Sequence, residues 1–259
     1  MGLVELAQQL LAAETEIDPA LARRIVGLAL DRAPQSLPDR LSAGDLRSDA
    51  EFDVADQRLA GAAFVVVDLE TTGLDVQGAS ILEIGAVRVS GLRIVDRFET
   101  LVRPPGKLPR AIVALTGICD AMVAEAPTMR RALQSFARWL DRTPTAPFVA
   151  HNASFDHRFV SRALDLCGLP PYRGAVLCTR KLARRLIPEL GRYNLDHLCA
   201  HLGIANCARH RALGDAEATA RALIDLLEIA QSRFEIRDLG ELIDFHRRPP
   251  AKRKRRAKP

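Results

Sequence analysis

The chain of 259 residues has no apolar run approaching the ~20 residues that a membrane-spanning helix needs. Its most compact apolar run, 64–67, is long enough only for a strand. The first residues, Met1-Gly2-Leu3-Val4-Glu5, have no basic region leading into an apolar core. No secretory signal is therefore expected, and a cytoplasmic protein is. The five cysteines (119, 167, 178, 199 and 207) are odd in number and form no C-x-x-C. That excludes a regular disulfide framework and points to reduced thiols. Internal repeats are also lacking.

What is present suits a globular enzyme-sized domain. Hydrophobic residues make up 48% and charged residues 27%, enough for a substantial core with room for an appendage at either end. The net charge of +5 is unevenly placed. The tail 251–259 carries six Lys/Arg and no acid, so removing it leaves −1 for the rest. Such a run is either a solvated end or a sequence-blind attraction for phosphates.

Residues 1–60 read as a small helical appendage and linker. Leu3, Leu6, Ala7, Leu10 and Leu11 recur at helical spacing, and Asp18-Pro19 marks a second helix start. From Gly61 the texture changes. Strands are expected over 64–70, 81–89 and 92–102, the last two joined tightly at Ser90-Gly91. Helices are expected over 128–140, 155–167, 180–186, 195–202 and 215–231, with short strands at 147–151 and 175–179. This order predicts an α/β domain over 61–232, a mixed central sheet flanked by helices, followed by a C-terminal extension over 233–259 that carries the basic tail.

Three segments carry chemistry. In Phe64-Val65-Val66-Val67-Asp68-Leu69-Glu70 the alternation of a strand puts Asp68 and Glu70 on the same side. Two carboxylates crowded at the end of an apolar strand repel and lose hydration, which a hard cation such as Mg²⁺ or Mn²⁺ would relieve. Taken alone, a pair of acids that simply reaches solvent is the simpler reading. Asp156 stands where a second apolar strand gives way to a helix, a position that ordinarily means a favourable dipole partner. Asp215 opens a late amphipathic helix, and His210 lies five residues earlier, able to hover over a site anchored by Asp215. A neutral imidazole there suits removal of a proton from water.

In combination and in this order, D-x-E-T-T-G, H-N-A-x-F-D and H-x₄-D resemble the three exonuclease motifs of the DEDDh (DnaQ-like) superfamily. Within it the chain is similar to the proofreading epsilon subunit of bacterial DNA polymerase III and its stand-alone relatives. The likeness runs from about residue 62 to about 227 and includes Leu115-Thr116-Gly117-Ile118 and Tyr193-Asn194-Leu195-Asp196-His197. It implies a ribonuclease H-like fold and 3′→5′ hydrolysis, in proofreading or repair. Two divalent cations would be held by Asp68, Glu70, Asp156 and Asp215, with His210 as general base. Thr71, Thr72, Gly73 and Leu74 match the segment that grips the terminal nucleotide. Leu115, Thr116, Gly117 and Ile118 match the one that packs on the last bases, and Asn152 and Phe155 border the same cleft. The implied partners are a nucleic acid with a free 3′ end, DNA favoured over RNA, and a polymerase subunit; no membrane is implied.

Other features have plainer readings. His197, Cys199, His201, Cys207 and His210 crowd one stretch, but their spacing matches no common zinc site, and Leu195, Leu198, Cys199 and Leu202 share a helical face. Phe136 and Trp139 read as core. Two rivals to the DNA exonuclease are an exoribonuclease of the same superfamily and a non-catalytic nucleic-acid-binding module. If the tail grips phosphates, deleting 251–259 will weaken nucleic-acid binding and flatten its salt dependence, by about 0.7 in slope for each single-strand phosphate that the tail neutralises. An unchanged slope of log Kd against log salt would show the tail to be idle.

Overall fold

The computed structural model describes residues 57–206 and 208–248. The expected helical appendage lies outside them except for its last four residues, as do Cys207 and the basic tail. Five strands form one sheet: β1 (Ala63–Thr71), β2 (Ile81–Ser90), β3 (Arg93–Leu101), β4 (Phe148–Ala150) and β5 (Val176–Cys178). Eight helices accompany them: α1 (Arg110–Thr116), α2 (Asp120–Ala124), α3 (Met129–Leu140), α4 (Ala153–Leu166), α5 (Thr179–Leu186), α6 (Leu195–Leu202), α7 (Ala212–Phe234) and α8 (Leu239–Arg247).

The sheet order is β3-β2-β1-β4-β5. β1, β2 and β3 form an antiparallel meander, whereas β4 and β5 run parallel to β1. This is the mixed, helix-flanked, ribonuclease H-like sheet expected. The β2–β3 turn has Gly91 and Leu92 at its centre, both at positive φ (59° and 56°), between the paired Ser90 and Arg93. Two left-handed residues in a two-residue turn match the twist of the flanking strands.

β1 is central and buries both faces, as its continuous apolar run requires. Phe64 and Val66 pack with α5, α7 and α8 residues such as Leu182, Leu223, Leu226 and Leu242. Val65, Val67 and Leu69 pack on the other side with α3 and α4 through Leu133, Phe136 and Phe159. Phe136 is fully buried and Trp139 nearly so, stacked 6.2 Å apart, so both are core as expected. Cys199 is likewise buried beside Leu198. Asp68 and Glu70 continue the alternation of Phe64 and Val66 and therefore face α7.

That face is tight. An added Cβ on Gly85 of β2 would come within 2.1 Å of the Ala212 and Leu213 backbone, so the first turn of α7 touches the sheet through this glycine. α7 begins at Ala212 rather than at Asp215, which places Asp215 inside its first turn.

α8 is an element that the sequence pattern did not yield. Ile236, Leu239 and Leu242 are buried in the same core cluster as β1 and α7. Asp238 caps it by accepting the Glu241 N–H at 2.8 Å. Backbone bonds from Leu59 to Arg237 (3.0 Å) and from Leu239 to Gln57 (3.0 Å) tie it to the start of the described chain. Residues 236–242 thus share one core with the residues before 233. Leu242→Ala should cost about 2–5 kcal/mol, the usual range for a buried leucine. Denaturant unfolding would read this, and a cost under about 0.5 kcal/mol would show α8 to be only loosely attached.

Candidate active site

The carboxyl end of β1 delivers Asp68 and Glu70 to the α7 face. Asp156 comes from the first turn of α4 and Asp215 from the first turn of α7. Glu70 and Asp156 are 8% and 4% exposed. Ligand atoms of Glu70, His210 and Asp215 all lie within 4.8 Å of one another. Burial raises the carboxyls of Asp68 and Glu70 well above the usual range. At Asp68 the charges of Asp215, Asp156 and Glu70 add to the rise, and at Glu70 those of Asp215, Glu83 and Asp156 do. Burial also pushes Asp156 up to about 7, against a backbone bond from Leu69. Asp215 is raised by burial, opposed by its bonds to Asn206 and His210. Of the five expected groups, Glu70, His210 and Asp215 come within ligand distance of one another, and Asp68 and Asp156 lie close enough for charge to act between them and these carboxyls.

Two nearby positive charges oppose these rises, that of His210 at Asp215 and that of Arg211 at Glu70. Arg211 is the cation that opposes the rise at Glu70, but its guanidinium is already bound to Glu83. An all-oxygen set of buried acids with one imidazole suits Mg²⁺ or Mn²⁺, so the donor set fits the divalent metals that the motifs imply.

His210 adopts φ 58°, a left-handed conformation uncommon outside glycine. Its N–H donates to Oδ2 of Asp215 at 3.0 Å, and Asn206 Nδ2 donates to Oδ1 at 2.6 Å. Gly214 makes this fold-back possible, since a Cβ there would lie 2.4 Å from the Ala208 carbonyl oxygen. His151, the histidine of the second motif, is occupied elsewhere. Its ring nitrogens lie 3.0 Å from Thr179 Oγ1 and 2.8 Å from the Tyr193 carbonyl oxygen, and burial pulls its pKa down to about 4.

The expected nucleotide-contacting residues differ in their exposure and in their own bonds. Thr71 donates its hydroxyl to the Gly73 carbonyl at 2.7 Å, and Thr72 Oγ1 accepts the Ser80 N–H at 2.8 Å. Thr72, Gly73 and Leu74 line a cavity of about 500 Å³ with Asp75, Ser80 and Pro104–Lys107. Leu115 is half-buried and Gly117 exposed at the left-handed end of α1. Thr116 and Ile118 are closed to solvent, and the Thr116 hydroxyl is committed to Ile112 O and Ile118 N. Asn152 has a buried Nδ2 without a hydrogen-bond partner among the described residues, and Phe155 packs 4.7 Å from Phe159. Asn194 caps α6 by accepting the His197 N–H.

Sequence reasoning missed Glu83, Arg211 and Asn206. Glu83 is fully buried and directly opposite Glu70 across the β1–β2 pair. Both of its oxygens bind Arg211, at 2.6–3.2 Å, and Oε2 also accepts the Ala212 N–H at 2.8 Å. An acid inside the apolar run Ile81-Leu82-Glu83-Ile84, two residues before a strand glycine, was the available signal.

Acids and a histidine at the carboxyl end of the central strand of such a sheet define the DEDDh class of nuclease. Residues 65–223 match the RNase_T exonuclease family, and the chain belongs to it. It is 38% identical over 189 residues to a PolC-type DNA polymerase III of Bacillus cereus and 40% over 177 residues to that of Oceanobacillus iheyensis. These matches cover 72% and 68% of the chain but only 13% and 12% of the relatives, so the chain spans about an eighth of their length. Among solved structures, Exonuclease X in complex with 5′-overhanging duplex DNA is 32% identical, with a TM-score of 0.55 over 71% of this chain and 99% of that one. The nuclease domain of 3′hExo, a DEDDh member bound to rAMP, shares the fold at 21% identity, with a TM-score of 0.57 over 65% and 92%.

The burial of Asp156 sets a stability signature. An aspartate raised when folded holds its proton more tightly in the folded state, so its contribution is present at low pH and lost as pH rises through the folded value. For Asp156 that window runs from 3.8 to about 7. With chelator present, Asp156→Asn should therefore melt higher than wild type at pH 8, by a margin that vanishes near pH 4. A variant that melts lower at pH 8 would contradict the electrostatic account.

Proposed function

We propose that this chain is a metal-dependent 3′→5′ exonuclease that releases nucleoside monophosphates from nucleic-acid 3′ ends, with DNA favoured over RNA. The observation that carries the reading is the gathering of Glu70, His210 and Asp215 within 4.8 Å, with Asp68 and Asp156 electrostatically coupled to the same carboxyls. Asp68, Glu70, Asp156 and Asp215 would hold two divalent cations, Mg²⁺ or Mn²⁺. When bound, these ions supply charge neutralisation for the scissile phosphodiester and stabilise the departing 3′-oxygen.

The protein's own groups do the rest. His210, turned towards the carboxylates by its backbone, accepts the proton of the attacking water. The neutral imidazole is the form that can take up that proton. The 71–74 segment offers backbone and side chains to the terminal nucleotide, and Leu115, Gly117 and Phe155 supply partly open surface for bases. Thr116 and Ile118 would act by holding that surface in shape. Membership of the exonuclease family and the PolC-type relatives support a role beside a replicative polymerase, in proofreading or repair. The duplex-DNA complex of Exonuclease X favours DNA.

The test is degradation of 5′-labelled single-stranded DNA and its RNA counterpart with Mg²⁺, Mn²⁺ or EDTA. A metal-dependent ladder shortening from the 3′ end is expected, faster on DNA. Binding without shortening under any metal would replace the enzyme with a binding module, and faster RNA cleavage would make it an exoribonuclease. Asp68→Ala and Asp215→Ala should abolish the ladder, while His210→Ala should slow it by about 10²–10⁴-fold; turnover retained by either aspartate variant would refute the metal assignment.

A further inference from the structure

We propose that Glu83 is a positioning residue for His210: its buried carboxylate latches Arg211 and Ala212 to the sheet and so fixes the backbone immediately before them. The inference rests on the reading of His210 as general base and adds a residue that the three motifs do not contain.

The sheet contains an apparent mistake. Glu70 and Glu83 are direct cross-strand partners, and like charges so placed repel. Glu83 has no exposed surface, so its charge must be matched from within. The match comes from the segment that carries the base. Arg211 approaches with a two-nitrogen fork, and the Ala212 N–H, an end-group of α7 without a helical partner, adds a further bond. One carboxylate therefore anchors the two residues that follow His210.

Why the base needs an anchor follows from its conformation. A left-handed histidine persists only where its surroundings over-determine it. Asp215 holds it from one side through the His210 N–H, and Glu83 holds it from the other through Arg211 and Ala212. Gly85 lets the two surfaces meet without a side chain between them. Release of the Glu83 latch frees the backbone to relax to an ordinary conformation, and the imidazole leaves the acid cluster. Glu83 itself touches neither substrate nor metal in this scheme. Its effect should appear in kcat and not in KM.

The experiment compares Glu83→Gln, Glu83→Ala, His210→Ala and the double variant His210→Ala/Glu83→Ala. Single-turnover cleavage of a 3′-ended oligonucleotide is followed, together with hydrogen exchange over 208–213 in metal-free protein. Glu83→Gln keeps the volume and one acceptor oxygen, so a folded protein remains to be measured if the alanine variant unfolds. The proposal expects Glu83→Ala to lower kcat by about 10–100-fold and Glu83→Gln by less, the size usual for a group that orients a ligand or base. KM should stay within about threefold, and exchange should accelerate over 208–213 with the sheet unchanged. In the His210→Ala background the Glu83 substitution should have little further effect, because the two act as one unit. If His210→Ala is slow but the Glu83 variants match wild type, the latch is refuted and the general base stands. If the two losses multiply, Glu83 acts elsewhere and the inference falls. If His210→Ala is as fast as wild type, the reading of the base itself fails.

Discussion

The mutual repulsion of buried carboxylates at the end of β1 is the constraint that organises this protein. Asp68 and Glu70 lie side by side because a strand alternates, and the strand is apolar because it is the middle of the sheet. Burial raises the carboxyls of all four acids, and at Asp68 the charges of Asp215 and Asp156 add to the rise. A fold stabilised by burial alone would not gather four acids at its centre. Under the proposed function, the arrangement is explained by the divalent cations it would bind.

The rest of the architecture brings those acids together from distant parts of the chain. β4, parallel to β1, feeds α4 so that its first turn arrives beside the β1 terminus. α7 reaches the same point from the other side, across Gly85, in an approach no other residue permits. The Glu83–Arg211 pair is buried on one side and 38% exposed on the other. Its value lies less in stability than in register: it says where along β2 the helix must start. His210 is held in a conformation that the backbone would not choose freely, a recurrent cost at sites built for chemistry.

Much of this was legible in the sequence, for identifiable reasons. β1 to β3 have strong period-two or continuous apolar patterns, and the motif acids occur where those patterns stop. The role of Gly85 and Glu83 was not legible, because it depends on which strand residue faces which helix residue, a tertiary fact without local periodicity. The start of α7 was misplaced by three residues because Ala212, Leu213 and Gly214 carry no cap signal of their own. α8 escaped notice because it is short, and its apolar residues are few and separated by acids. Ile118 and Thr116 show the converse. Their motif is recognisable, yet their side chains point into a core, and only the fold shows that Leu115 and Gly117 are the accessible members.

The central claim is that the acid cluster exists to hold divalent cations, and Mn²⁺ binding followed by electron paramagnetic resonance tests it without reference to catalysis. Titrating metal-free protein in the presence of a nucleoside 5′-monophosphate should reveal about two bound ions per chain, the number expected for in-line phosphoryl hydrolysis. Asp215→Ala should lose at least one of them. A wild-type protein that leaves Mn²⁺ free at millimolar concentration would contradict the account.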